Sequence, residues 1–128
     1  MTYLLDTHAF ICMASFPAKL SIKARDAILD ESNELWLSIA SLWEMQIKHG
    51  LGKLTLEIPL NELWQETSRA NDIALKKIET SHIWQLESLP HIHKDPFDRI
   101  LVCQAQCESV ALITQDRHIK EYDVQTTW

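Results

Sequence analysis

The sequence predicts an α/β fold with a mostly parallel central sheet. Short apolar runs with strand character alternate with helical segments along the whole chain. These runs are apolar at consecutive residues rather than at every second one, the pattern of strands covered on both faces. Neither an internal repeat nor a shift in composition divides the 128 residues, so a single domain over 1–128 is expected.

The elements follow in order. "TYLL" is the first strand and runs straight into Asp6 and "THAFICMA". After the polar break "SFPAKLS", Ser21 is placed to cap a helix over "IKARDAILDES". "NELWLSIA" supplies a strand from about Glu34 to Ser38, and "SLWEMQIKHG" a helix that stops near Gly50. "LGKLTLEIP" reads as a loop. Pro59 then opens "LNELWQETSRAND", whose Leu60, Leu63, Trp64 and Thr67 share one face at helical spacing. "IALKKI" is a short strand and "TSHIWQLESL" a short helix. "PHIHKDP" leads into a long apolar helix from Pro96 to about Glu108. The strand "VALIT", a helical turn in "QDRHIKEY" and a last extended piece, "DVQTTW", complete the chain.

Composition narrows the function classes. Two glycines, Gly50 and Gly52, are too few for a glycine-rich phosphate loop or a dinucleotide fingerprint. No apolar run approaches the roughly 20 residues of a membrane span, and "MTYLLDTHAF" lacks a basic leader, so the expectation is a cytoplasmic protein without membrane contact. Cys12, Cys103 and Cys107 lack zinc-ribbon spacing. Cys103 and Cys107, one helical turn apart on an apolar segment, read as buried thiols in a reducing compartment. Lys and Arg number 12 against 18 Asp and Glu, a net charge of −6. That argues against a general nucleic-acid coat, yet leaves room for an enzyme that holds phosphodiesters through divalent cations.

In open α/β sheets functional groups gather beyond the carboxyl ends of the strands, and acids fall there. Asp6 follows the first strand directly, Asp116 follows "VALIT" after one residue, and Glu44 lies on the helix after "LWLS". Asp98 sits in the first turn of the long apolar helix. Each also reads as a cap: Asp6 and Asp116 as N-caps, Ser41 to Glu44 as a capping box, and Asp95-Pro96 as N-cap and N1 with Asp98 favouring the helix dipole. Together they carry a different message. Four acids converging on one sheet edge repel one another unless a hard divalent cation sits among their oxygens. Asp95 suits the cap and Asp98 the ligand.

Four segments, "YLLDTHAFI", "LSIASLWEMQIKHGLGKL", "HKDPFDRILVCQA" and "LITQDRHIKEY", resemble in this order the motif blocks of PIN-domain ribonucleases, and among them the VapC toxins of bacterial toxin–antitoxin pairs. The resemblance spans nearly the whole chain. It implies a PIN-like fold of about five parallel strands flanked by helices. It also implies a Mg²⁺- or Mn²⁺-dependent endoribonuclease that cleaves RNA through metal-activated water, leaving a 5′-phosphate and a 3′-hydroxyl. A homodimer and an inhibitory cognate antitoxin are part of the same expectation. Carried over position by position, the catalytic, metal-binding acids are Asp6, Glu44, Asp98 and Asp116, with Asp95 near enough to assist. Thr7 and Thr114 flank acids and suit hydrogen bonds to them or to a metal-bound water; both also read as ordinary strand-end threonines. The stretch "ICMASFPAKLS" departs from the tryptophan- or leucine-rich sequence of many relatives, which bears on the face offered to antitoxin or RNA and leaves the acids untouched.

Other features carry less. His91 and His93 followed by Asp95 match a zinc site by residue type alone, and a solvated loop is the simpler reading. Trp64 falls on an apolar helix face and Trp36 in a strand, which favours burial over base stacking. Arg99 and Arg117 follow two of the acids directly and are candidate RNA phosphate contacts. A dehalogenase-like phosphatase wants Asp-x-Asp after the first strand, where this chain has Asp6-Thr7-His8, and a receiver wants paired early acids that are absent. A catalytically silent interaction module on a PIN-like fold, or another Mg²⁺-dependent phosphate-handling enzyme, is the alternative function.

Overall fold

In the computed structural model, which describes residues 1–128, five strands form one sheet. β1 (Thr2–Leu5), β2 (Glu34–Ser38), β3 (Ile73–Lys76), β4 (Ala111–Ile113) and β5 (Thr126–Thr127) lie in the order β3-β2-β1-β4-β5, and every pairing is parallel. The connections carry α1 (Thr7–Ser15), α2 (Ile22–Leu29), α3 (Ile39–Gly50), α4 (Leu60–Asn71), α5 (Thr80–Gln85) and α6 (Pro96–Glu108). This is the α/β architecture with a parallel sheet of five strands that the sequence predicts.

Sheet order fixes where a site can form. The chain steps outward from β1 to β2 and β3, then crosses back to lay β4 on the other flank of β1. Winding reverses between β1 and β4, and a crevice opens beyond their carboxyl ends. Leu5 is in register with Ile113, and the Asp6 amide donates to the Ile113 carbonyl at 3.1 Å. Asp6 and Thr114 therefore leave the sheet side by side.

Both faces of the sheet are covered. Tyr3, Leu5, Leu35, Leu37, Ala111 and Ile113 point into one apolar cluster with Phe10 of α1, Ala24 and Ile28 of α2 and Met45 of α3. Leu4 and Leu112 point the other way, against Ile100, Leu101, Val102 and Cys103 of α6. The period of two along β1 and β4 is thus real, but each side meets helices, so the strands read as continuously apolar.

Several boundaries differ from the sequence reading. α2 stops at Leu29 instead of running to Ser32, because the Asp30 side chain accepts hydrogen bonds from the Ser32 amide and hydroxyl and turns the chain away. α3 begins at Ile39, capped by Ser38, whose hydroxyl oxygen accepts from the Ala40 amide. Ser41 and Glu44 therefore form no capping box. Cys107 is exposed, unlike the buried Cys103, because it lies on the flank of α6 away from the sheet cluster. Trp36 is only half-buried, since β2 exposes that face toward Lys76, whose ammonium lies 4.8 Å from the indole ring centre. Trp64 packs on Phe10, as its helical face predicts.

Candidate functional site

Asp6 leaves β1 as the N-cap of α1, and its Oδ1 accepts from the Ala9 amide at 2.7 Å. It is a cap and a wall of the crevice at once. Only 4% of its surface is exposed. Burial pushes its carboxyl above the ordinary range, against the opposing pull of the Thr114 hydroxyl, the Ala9 amide and His8.

Glu44, also buried, projects from α3 toward α1. The Thr7 hydroxyl donates to its Oε1 at 2.7 Å and lies 3.0 Å from Ser41 Oγ. Lys48, one turn further along α3, donates to Oε2. Both oxygens are oriented from the protein side. The Lys48 ammonium is pushed upward chiefly by this hydrogen bond, with Asp95 and Asp98 adding attraction.

Asp95 caps α6, its Oδ1 accepting from the Phe97 amide at 2.8 Å, and Asp98 stands in the first turn. At Asp98 several effects act in the same direction. Burial first, then the like charges of Asp95 and Glu44, push its carboxyl up to about 7. Asp116 follows β4. Its Oδ1 accepts from the His118 amide at 2.8 Å and the Ile119 amide at 3.0 Å, and its own amide donates to Thr114 Oγ1 at 3.0 Å. Burial works upward on Asp116, but the Ile119 amide, the His93 ring and the His118 amide together hold it below the usual carboxylate value.

Asp6, Thr7, Glu44, Asp95, Asp98 and Asp116 line a single cavity of about 450 Å³ with Lys48, His8 and Gln115 on its rim. All five acids named from the sequence are brought together. Thr114 is fully buried beneath Asp6 and Asp116 and bonds to both. The two arginines part company. Arg117 is exposed beside Asp116. Arg99, expected as a phosphate contact, is turned elsewhere: its Nη1 donates to the Pro90 carbonyl at 2.8 Å and to Tyr122 Oη at 3.3 Å, and Nη2 reaches the Leu89 carbonyl at 3.4 Å. Its charge is spent on the loop before α6.

His93, read from the sequence as part of a solvated loop, instead turns to the acids. His93 Nε2 lies 3.1 Å from Asp98 Oδ2 and 3.2 Å from Asp116 Oδ2. Its "HIHKDP" context was the available signal, but the partner acid Asp116 is distant along the chain. The three groups offer ligand atoms within 4.8 Å of one another. The donor set as a whole is dominated by carboxylate oxygen, with no thiolate, which suits a hard cation such as Mg²⁺ or Mn²⁺. Asp98, raised first by burial and then by the like charges of Asp95 and Glu44, sits in a cluster short of positive charge, so the residues fit such an ion.

A family model described as PIN domain matches residues 3–125. By structure, the chain is similar to one from VapBC2 of Rickettsia felis bound to a DNA fragment from their promoter: TM-score 0.75, 14% identity, covering 98% of this chain and 97% of that one. It is also similar to a chain of VapBC-1 from nontypeable Haemophilus influenzae: TM-score 0.60, 18% identity, covering 98% of this chain and 96% of the other. A sequence search among curated proteins gave no match.

Proposed function

The chain belongs to the PIN-domain family, and from that premise we propose that it is a divalent-metal-dependent endoribonuclease, the toxin of a toxin–antitoxin pair. The observation that carries this reading is the convergence of five carboxylates on one cavity in which Lys48 is the only ammonium. Asp6, Glu44, Asp98 and Asp116 would hold Mg²⁺ or Mn²⁺, with Asp95 adding negative charge from the cap of α6. Such an ion, when bound, supplies a Lewis acid for a phosphodiester and lowers the pKa of attacking water.

The chain's own residues prepare the rest. Thr7 and Lys48 fix the two oxygens of Glu44, and the Ala9 amide and Thr114 hydroxyl fix Asp6. Held this way, the carboxylates need little reorganisation to accept a cation. Lys48 in the cavity and the exposed Arg117 beside Asp116 would meet an RNA phosphate as it approaches an otherwise acidic cleft. The cleft alone would repel RNA, so cleavage without the metal is not expected.

An antitoxin partner belongs to the same proposal, supported by the similarity of the fold to chains of two VapBC structures; a homodimeric state and action in the cytoplasm belong to it through the resemblance of the sequence motifs alone. No helix is long and apolar enough to cross a membrane.

The test is total RNA incubated with purified, antitoxin-free protein, with and without Mg²⁺ or Mn²⁺, beside Asp6→Asn. Discrete metal-dependent fragments from the wild type and none from the variant are expected, since asparagine keeps the helix cap but removes the charge. Equal cleavage by both would sink the site assignment. No cleavage together with no metal binding would leave a non-catalytic interaction module.

A further inference from the structure

The loop before α6 aims His93 at the acids from several directions. The Tyr122 hydroxyl oxygen, nearly buried, accepts from the His93 amide at 2.7 Å and the Ile92 amide at 3.2 Å. Arg99 clamps the Pro90 carbonyl and the same hydroxyl. Within the loop, the Asp95 amide donates to His93 Nδ1 at 3.1 Å. A backbone amide can only donate, so Nδ1 is the lone-pair nitrogen of this ring and its N–H is at Nε2. That N–H donates to Asp116 Oδ2 at 3.2 Å, with Asp98 Oδ2 only 3.1 Å away.

A nitrogen that carries a proton has no lone pair for a metal ion. We propose that His93 is a positioning residue and not a ligand: its Nε2–H stands between the Asp98 and Asp116 carboxylates, and holds these acids, from α6 and the β4 exit, in place for the cation. The proposal rests on the metal-site reading above. It explains why Arg99 and Tyr122 are committed to a loop rather than to the cavity. It also accounts for an imidazole among hard oxygen donors, where it would otherwise favour a softer ion. Asp116 is then fixed at both oxygens, Oδ1 by the two amides of its own turn and Oδ2 by His93.

Nitrogen-15 NMR of histidine-labelled protein tests the tautomer directly. In metal-free protein His93 is expected as Nε2–H with Nδ1 unprotonated, and Nε2 is expected to keep its proton at Mg²⁺ saturation. A proton on Nδ1 in metal-free protein, or loss of the Nε2 proton on Mg²⁺ binding, would overturn the proposal, the latter by making His93 a ligand. Mn²⁺ titration calorimetry supplies the second readout. His93→Ala is expected to weaken binding about 10- to 100-fold, and His93→Gln, which keeps an N–H donor at similar reach, to recover most of it. Wild-type binding with His93→Ala unchanged would overturn this role alone. A wild type that binds no Mn²⁺ would overturn the metal reading and this role with it.

Discussion

At Asp98 burial and two neighbouring acids act on one carboxyl, and the outcome is a pH dependence with a definite sign. Its value in the folded chain, about 7, lies above the ordinary 3.8, so folding favours the protonated form. The stability it contributes is complete at low pH and is lost as pH rises from about 4 through about 7. Metal-free protein melted in a chelator should therefore be less stable near pH 8 than near pH 5.5, and Asp98→Asn should shrink that difference. Equal pH sensitivity in the two proteins would refute the assignment. The same proton must leave when a cation binds, so Mn²⁺ affinity should rise up to about tenfold per pH unit below about 7 and level off above it. At this scale the sequence disclosed the acids, because Asp and Glu at strand exits are visible as letters. It hid the tasks of His93 and Arg99, whose partners, Asp116 and Tyr122, lie more than one element away.

Among the elements, α6 was the most legible, both ends included. Asp95 and Pro96 announce its start by supplying a side-chain cap and a residue with no amide to satisfy. Its end at Ser109 costs something, because that residue adopts φ 55, ψ 45, the left-handed region glycine prefers. Ser109→Gly should raise stability by about 0.5–1 kcal/mol in urea denaturation, the relieved strain exceeding the added freedom of the unfolded chain. A loss of stability would mean that the serine side chain contributes more than its backbone costs. α2 and α3 were misjudged at their ends for a common reason. Asp30 and Ser38 each turn a side chain onto nearby backbone, and sequence spacing alone left Ser32 and Ser41 as equally good boundaries. The type of each element survived these errors, since type rests on many apolar positions and a boundary on one hydrogen bond.

Over the whole molecule, the net charge of −6 acquires a location, with five acids facing one cavity. A cation there relieves repulsion that the fold otherwise bears, so metal should stabilise the protein as well as activate it. Mn²⁺ at about a hundred times its dissociation constant should add about 2.7 kcal/mol of stability, read as a higher melting temperature than in chelator. Asp6→Asn should show little of that gain, and an equal gain in the variant would place the ion elsewhere. The architecture was readable because parallel strands buried on both faces leave uninterrupted apolar runs. The closeness of its parts was not, since sheet order is decided by crossovers that no local pattern records. That order has a consequence for synthesis. β1 precedes its neighbour β4 by two strands and their helices, so Asp6 waits for Asp116 until all of these have been made. A nascent chain that has not yet reached β4 carries no complete set of acids, and the five carboxylates can share a cation only once that strand has been made.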